Sequence, residues 1–170
     1  MHHDLGCLGA EVNKSAIQRQ VRLLKEMGCN AIRLTHNPSS IEFLEVCAEE
    51  GIMLVEEAFD CWDTAKKTYD FAKDFNTYAE SSLKFMVKRS VNNPAVIMWS
   101  IGNEITGGTA STCQRLVNWV KEVDTTRPVT MGNDKPSRTD LMDLLDVSGI
   151  NYGNDSEYST LRTNKPNYKL

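Results

Sequence analysis

Val96-Ile97-Met98-Trp99-Ser100-Ile101-Gly102-Asn103-Glu104 opens with four large apolar side chains and closes on an amide and a carboxylate. The opening residues lack the polar alternation of a half-wet strand, so the run reads as a strand buried on both faces, the habit of parallel sheets covered by helices. Asn92-Asn93-Pro94 before it breaks a helix expected from about Thr77 to Ser90, and a second helix is expected from Thr112 to Val123.

The same alternation extends in both directions. Ser15 to Met27 sets Ile17, Val21, Leu24 and Met27 on one helical face, with Gly28 as a stop signal, and Ala31 to Leu34 reads as a short strand. Pro38-Ser39-Ser40 opens a helix that runs through Glu50 to Gly51, and Ile52 to Val55 is the next strand. A polar connection covers Glu56 to about Asn76. Later come a strand at Pro128 to Met131, a short helix at Asp140 to Leu145, and a strand at Val147 to Asn151. The tail from Gly153 to Leu170 is polar, with Tyr168-Lys169-Leu170 starting something further.

Strands alternating with helices indicate parallel βα units. No glycine-rich turn follows the first strand, so the phosphate-binding signature of doubly wound sheets is absent. Polar residues gather just after the strands instead: His2-His3-Asp4, His36, Glu56-Glu57, Asn103-Glu104, Asn133-Asp134 and Asn151-Tyr152. Chemistry ringed at the carboxyl ends of many parallel strands is the pattern of the (β/α)8 TIM barrel, which typically needs about 250 residues. With 170 residues, the expected α/β fold is a truncated barrel, from the end of strand 1 to the threshold of strand 7. Residues 1–170 are taken as a single domain fragment beginning inside a larger domain.

Composition narrows the function classes. The chain is 41% hydrophobic and 25% charged, as in ordinary globular domains. Its 19 Lys and Arg face 23 Asp and Glu with no basic cluster, so nucleic acid is not an expected partner. No apolar run reaches the roughly 20 residues a membrane helix needs. Met1-His2-His3-Asp4 lacks the basic and apolar regions of a signal peptide, and localisation is not read from the sequence. Cys7, Cys29, Cys47, Cys61 and Cys113 are scattered and odd in number, which reads as small buried thiols rather than a zinc site or disulfide framework.

On spacing alone Glu104 admits two readings. A carboxylate at a strand end, beside Asn103 and under the aromatic wall of Trp99, suits a general acid, and it equally suits a cap for the following helix.

The segment from Asn92 to Glu104 resembles the acid/base segment of glycoside hydrolase family 2, the family of β-galactosidases and β-glucuronidases. Three further segments resemble that family in order and spacing. Ala31-Ile32-Arg33-Leu34-Thr35-His36-Asn37-Pro38 is similar to its Arg-x-Ser/Thr-His-x-Pro strand end. His2-His3-Asp4 is similar to the end of its first barrel strand, and Leu54-Val55-Glu56-Glu57-Ala58-Phe59-Asp60 to the end of its third.

The resemblance implies a retaining hydrolase of terminal β-linked sugars, with β-galactosides as the expected substrate and β-glucuronides or β-mannosides as alternatives. A rival from another class is a non-catalytic carbohydrate-binding fragment. Glu104 would be the acid/base, and Asn103 would bind the sugar 2-hydroxyl. His2 and His36 would hydrogen-bond sugar hydroxyls, although each alone could be a strand-end histidine satisfied by backbone. Asp60 would recognise hydroxyls. Trp62 would stack on a pyranose face or serve as barrel packing. Tyr152 resembles the tyrosine that hydrogen-bonds the nucleophile. That nucleophile, a glutamate after the family's seventh strand, would lie beyond residue 170, and Glu157 in Ser156-Glu157-Tyr158 is read as a loop residue.

No cofactor is expected. The positions that carry a Glu and a His in magnesium-dependent relatives are Cys61 and Asp63 here, so no metal site is expected either. The family's Arg-Asp-Arg-Asn-His-Pro becomes Lys88-Arg89-Ser90-Val91-Asn92-Asn93-Pro94, which loses the Asp and His. Open barrel edges are expected to promote self-association.

Overall fold

In a computed structural model, residues 5–170 are described. Five strands form one parallel sheet: β1 (Ala31–Arg33), β2 (Met53–Glu57), β3 (Val96–Asn103), β4 (Val129–Asn133) and β5 (Gly149–Ile150). Each strand pairs with its predecessor in the chain. That sequential order winds in one direction, as in a barrel, whereas a doubly wound sheet reverses. The strand expected to end at His2 falls outside the described residues.

The helices are α1 (Lys14–Glu26), α2 (Ile41–Glu50), α3 (Ala72–Ser90), α4 (Ala110–Lys121), α5 (Thr139–Met142) and α6 (Asp155–Asn164). Local chemistry sets several of their ends. Asn13, Ser40 and Thr109 accept backbone N–H bonds at the starts of α1, α2 and α4. Gly51 closes α2 in the left-handed region at φ 70°. Thr109 caps α4, so Glu104 is no helix cap.

Two boundaries correct the sequence reading. Helix α3 begins at Ala72, earlier than Thr77, because the Asp70 carboxylate accepts from the backbone N–H groups of Lys66, Lys67 and Ala72 and folds the preceding loop onto the helix. Glu157 is not in a loop. It stands in the first turn of α6, in a reciprocal capping box with Asn154.

The core lies between the sheet and its helices, where Val21, Leu34, Val46, Leu54, Leu83, Val87, Trp99, Leu116 and Val129 are buried. Cys47 and Cys113 are buried there too, Cys61 is buried at the cleft beside Asp60, Cys7 is exposed and Cys29 half-buried. On the opposite, concave side Val55, Met98, Thr130 and Ile150 line a cavity of about 330 Å3. Among the described residues no helix is long and apolar enough to cross a membrane.

Candidate active site

The carboxyl ends of all five strands converge on one polar network. Glu57, the last residue of β2, has no exposed side chain and sits at its centre. Its carboxylate accepts from Arg33 Nε at 2.8 Å and Nη2 at 3.2 Å, and from Ser100 Oγ at 2.6 Å. His36 Nδ1 lies 2.5 Å from Glu57 Oε1, which assigns the ring proton on that nitrogen to the carboxylate. Two cationic or polar donors from β1 and its loop are thereby fixed on a buried anion, the arrangement in which charge-assisted bonds are strongest.

Arg33 also reaches across the sheet. Its Nη2 donates to Asn103 Oδ1 at 2.9 Å, past Gly132 on β4. A Cβ at Gly132 would fall 3.0 Å from Arg33 Cζ and 3.1 Å from Asn103 Oδ1, so only glycine leaves room for this contact.

Asn103 is buried and serves several partners. Its Oδ1 accepts from Asn151 Nδ2 at 3.1 Å, and its Nδ2 donates to Asp60 Oδ1 at 3.2 Å. Lys66 closes the ring, donating to Asp60 Oδ1 at 2.9 Å and to the Asn103 carbonyl at 2.7 Å. Partial burial disfavours the Asp60 anion, but hydrogen bonds from Lys66 and Asn103 outweigh it and hold that carboxyl below the usual carboxylate range.

Glu104 follows directly. Its backbone takes φ 46°, unusual for a residue with a side chain, and its N–H donates to the Gly132 carbonyl at 2.7 Å. The carboxylate accepts from Asn151 Nδ2 at 2.7 Å, and its negative charge beside the Tyr152 hydroxyl raises that phenol's pKa. Tyr152 is likewise left-handed, at φ 60°, and mostly exposed. Two such backbones facing each other are a feature that functional sites tend to store. Beside the network, His36, Pro38, Phe59, Asp60 and Phe71 border a cleft of about 590 Å3.

Thus His36, Asp60, Asn103, Glu104 and Tyr152 stand at one end of the sheet, while His2 lies outside the described residues. Trp62 corrects the reading as a stacking platform. It has no exposed surface, its indole N–H donates to the Ile101 carbonyl at 2.9 Å, and its ring lies against Gly102 and Gly108, so it packs the barrel wall. Trp99 forms no wall over Glu104 either, because its indole N–H points outward to Asp124 at 2.9 Å.

Sequence reasoning assigned no part to Arg33, Glu57, Ser100, Asn151 or Lys66. Asn151 stood in the strand-end ring and Arg33, Glu57 and Ser100 in the quoted motifs, so position could have flagged them. Lys66, in a loop without pattern, carried no such signal.

Comparison with known proteins gives one family. The description Glycosyl hydrolases family 2, TIM barrel domain, matches residues 1–168. The β-galactosidase BoGH2A of Bacteroides ovatus is 39% identical over 91% of this chain and 23% of its own. The β-glucuronidase of Streptococcus agalactiae is 31% identical over 88% of this chain and 28% of its own. A solved family 2 member from Bacteroides cellulosilyticus superposes with a TM-score of 0.92 at 41% identity, over 99% of this chain and 22% of that one. The chain spans about a quarter of the length of these relatives. Its strand order, its strand-end network and these matches agree that the chain belongs to glycoside hydrolase family 2, as part of the TIM-barrel domain.

Proposed function

We propose that residues 1–170 form one segment of a single catalytic barrel and supply the acid/base side of a retaining β-galactosidase. The observation that carries this reading is Glu104, set at the end of β3 with its carboxylate held by Asn151, with the Tyr152 hydroxyl near it and with Asn103 alongside. Glu104 gives its proton to the glycosidic oxygen as the bond to the anomeric carbon breaks and the nucleophile's carboxylate bonds to that carbon. Glu104 then takes a proton from the water that releases the sugar.

The nucleophile comes from outside residues 1–170. Retention needs two carboxyl groups about 5 to 5.5 Å apart. Near Glu104, Glu57 is consumed by Arg33, His36 and Ser100, and Asp60 has its Oδ1 tied to Lys66 and Asn103. Glu157 is committed to capping α6.

The remaining roles follow from unused valences. Asn103 spends one amide N–H on Asp60 and keeps the other for the sugar 2-hydroxyl. His36 spends Nδ1 on Glu57 and offers Nε2 to a hydroxyl. Asp60 takes its contacts on Oδ1, leaving Oδ2 for hydroxyl recognition. Tyr152 is also the partner of the incoming nucleophile, and the family resemblance gives His2, outside the described residues, a sugar hydroxyl.

Galactose is favoured by the 39% identity to the Bacteroides ovatus β-galactosidase, and glucuronide is the second reading, favoured by the 31% identity to the Streptococcus agalactiae enzyme. The test compares aryl β-galactoside, β-glucuronide and β-mannoside as substrates of the whole polypeptide that contains residues 1–170. The expected result is fastest turnover of the galactoside. Faster turnover of another sugar overturns the substrate assignment, and sugar binding without turnover favours a carbohydrate-binding module.

A further inference from the structure

We propose that Asn151 is a positioning residue for the acid/base, tying Glu104 and Asn103 into one unit and selecting which carboxyl oxygen carries the proton. The proposal rests on the reading of Glu104 given above. Asn151 follows β5, two strands away from β3, yet its Nδ2 donates to Glu104 Oε1 at 2.7 Å and to Asn103 Oδ1 at 3.1 Å. The amide cannot turn over without loss. Its Oδ1 faces the Arg33 guanidinium, with Nη1 at 3.5 Å, and reversal would point an oxygen at the Glu104 carboxylate and the Asn103 carbonyl oxygen while pointing N–H bonds at a cation.

The chemical consequence concerns the first half-reaction. A neutral donor on Oε1 stabilises the lone pairs there in both protonation states and leaves Oε2 as the oxygen that carries the proton. Glu104 is then presented with its acidic oxygen aimed at the leaving group, while the same amide keeps Asn103 in register for the 2-hydroxyl. Arg33 links this unit to Glu57, so the acid/base and the buried anion share one framework. Without Asn151 the carboxyl is free to rotate and to present either oxygen, so proton delivery suffers while the sugar contacts remain.

The experiment measures kcat/KM in the whole polypeptide containing residues 1–170, using phenyl and 2,4-dinitrophenyl β-galactosides, or the glucuronide pair where that is the sugar cleaved. Phenoxide needs a proton to depart and dinitrophenoxide does not. Asn151→Leu removes every polar contact. Asn151→Asp keeps size and the acceptor toward Arg33 but loses the donor, and it decides the matter if the leucine variant does not fold. Expected are losses of about 10- to 100-fold on the phenyl glycoside and less than about threefold on the dinitrophenyl glycoside. Equal losses on both substrates, or none on the phenyl glycoside, in a variant that melts like the wild type overturn the proposal. Glu104→Gln is run in parallel. If it shows the leaving-group split and the Asn151 variants do not, positioning alone fails. If it shows no split, the acid/base reading fails and the role of Asn151 with it.

Discussion

Glu57 is the residue on which the site's geometry converges. A fully buried carboxylate is costly to desolvate, and here Arg33, His36 and Ser100 supply four contacts that offset the cost. Glu57→Gln leaves Arg33, half-buried, facing a neutral amide where it had a fully buried carboxylate. We expect it to lower stability by about 3 kcal/mol in urea unfolding, and unchanged stability would show the network to be dispensable. Asp124 makes a second prediction, on the outer side of the sheet. Burial disfavours its charge, but donors on Thr126, Arg127 and Trp99 outweigh that and hold its carboxyl well below the usual range. With the folded pKa depressed, its stabilisation is present above an unfolded value near 3.9 and is lost as pH falls from about 4 downward. Asp124→Asn should therefore cost about 2 kcal/mol at pH 7 and much less at pH 2.5; an equal cost at both would contradict the assignment. Glu104 and Asn103 were legible because they end an apolar strand. Glu57 was quoted in a motif yet given no role, since its neighbour Glu56 is an equally good strand-end acid and only alternation along β2 separates them. Glu56 in fact points to the outer layer, where Arg89 donates to it, and burial raises its pKa.

At the scale of elements, one small residue at the carboxyl end of β4 gives the network room to cross between strands. Gly132 lets Arg33 pass from β1 over β4 to Asn103. Gly132→Ala should push the guanidinium aside, lowering stability by about 1–3 kcal/mol in denaturant titration and reducing activity more than that loss of stability explains. Full activity in the alanine variant would mean that the Arg33–Asn103 bond has no part in the site. Helices α1 to α5 were legible, the four longer ones from apolar spacing and stop signals, whereas the caps at Asn13 and Thr109 were not read from the sequence. Helix α6 was not, because Leu161 is its one buried residue and no apolar stripe marks it. Its signal was the Asn154-x-x-Glu157 capping box, a pattern that outweighs weak amphipathicity when the helix lies on the surface. The start of α3 was obscured for a related reason: Asp70 organises the preceding loop through side-chain bonds that leave no periodicity.

For the whole molecule, the parallel order and the strand-end ring were legible because a barrel repeats one βα unit, and each repeat confirms the last. What joins the repeats was not, since Arg33, Asn103 and Asn151 meet across 118 positions of sequence. Within the described sheet, β1 and β5 are the outer strands, and the Ser148 N–H beside β5 already donates to the Lys169 carbonyl at 2.7 Å. Unpaired strand edges invite pairing with other chains. The 170-residue chain by itself is expected to self-associate, with a sedimentation coefficient that rises with concentration; a monomer at every concentration would contradict this. The central claim remains the role of Glu104. Glu104→Ala in the whole polypeptide containing residues 1–170, given 2,4-dinitrophenyl β-galactoside (or the β-glucuronide, if that is the sugar cleaved) and sodium azide, tests it most directly. The account predicts slow turnover that azide accelerates, with the β-configured glycosyl azide as product. No acceleration by azide, or an α-configured product, would contradict it.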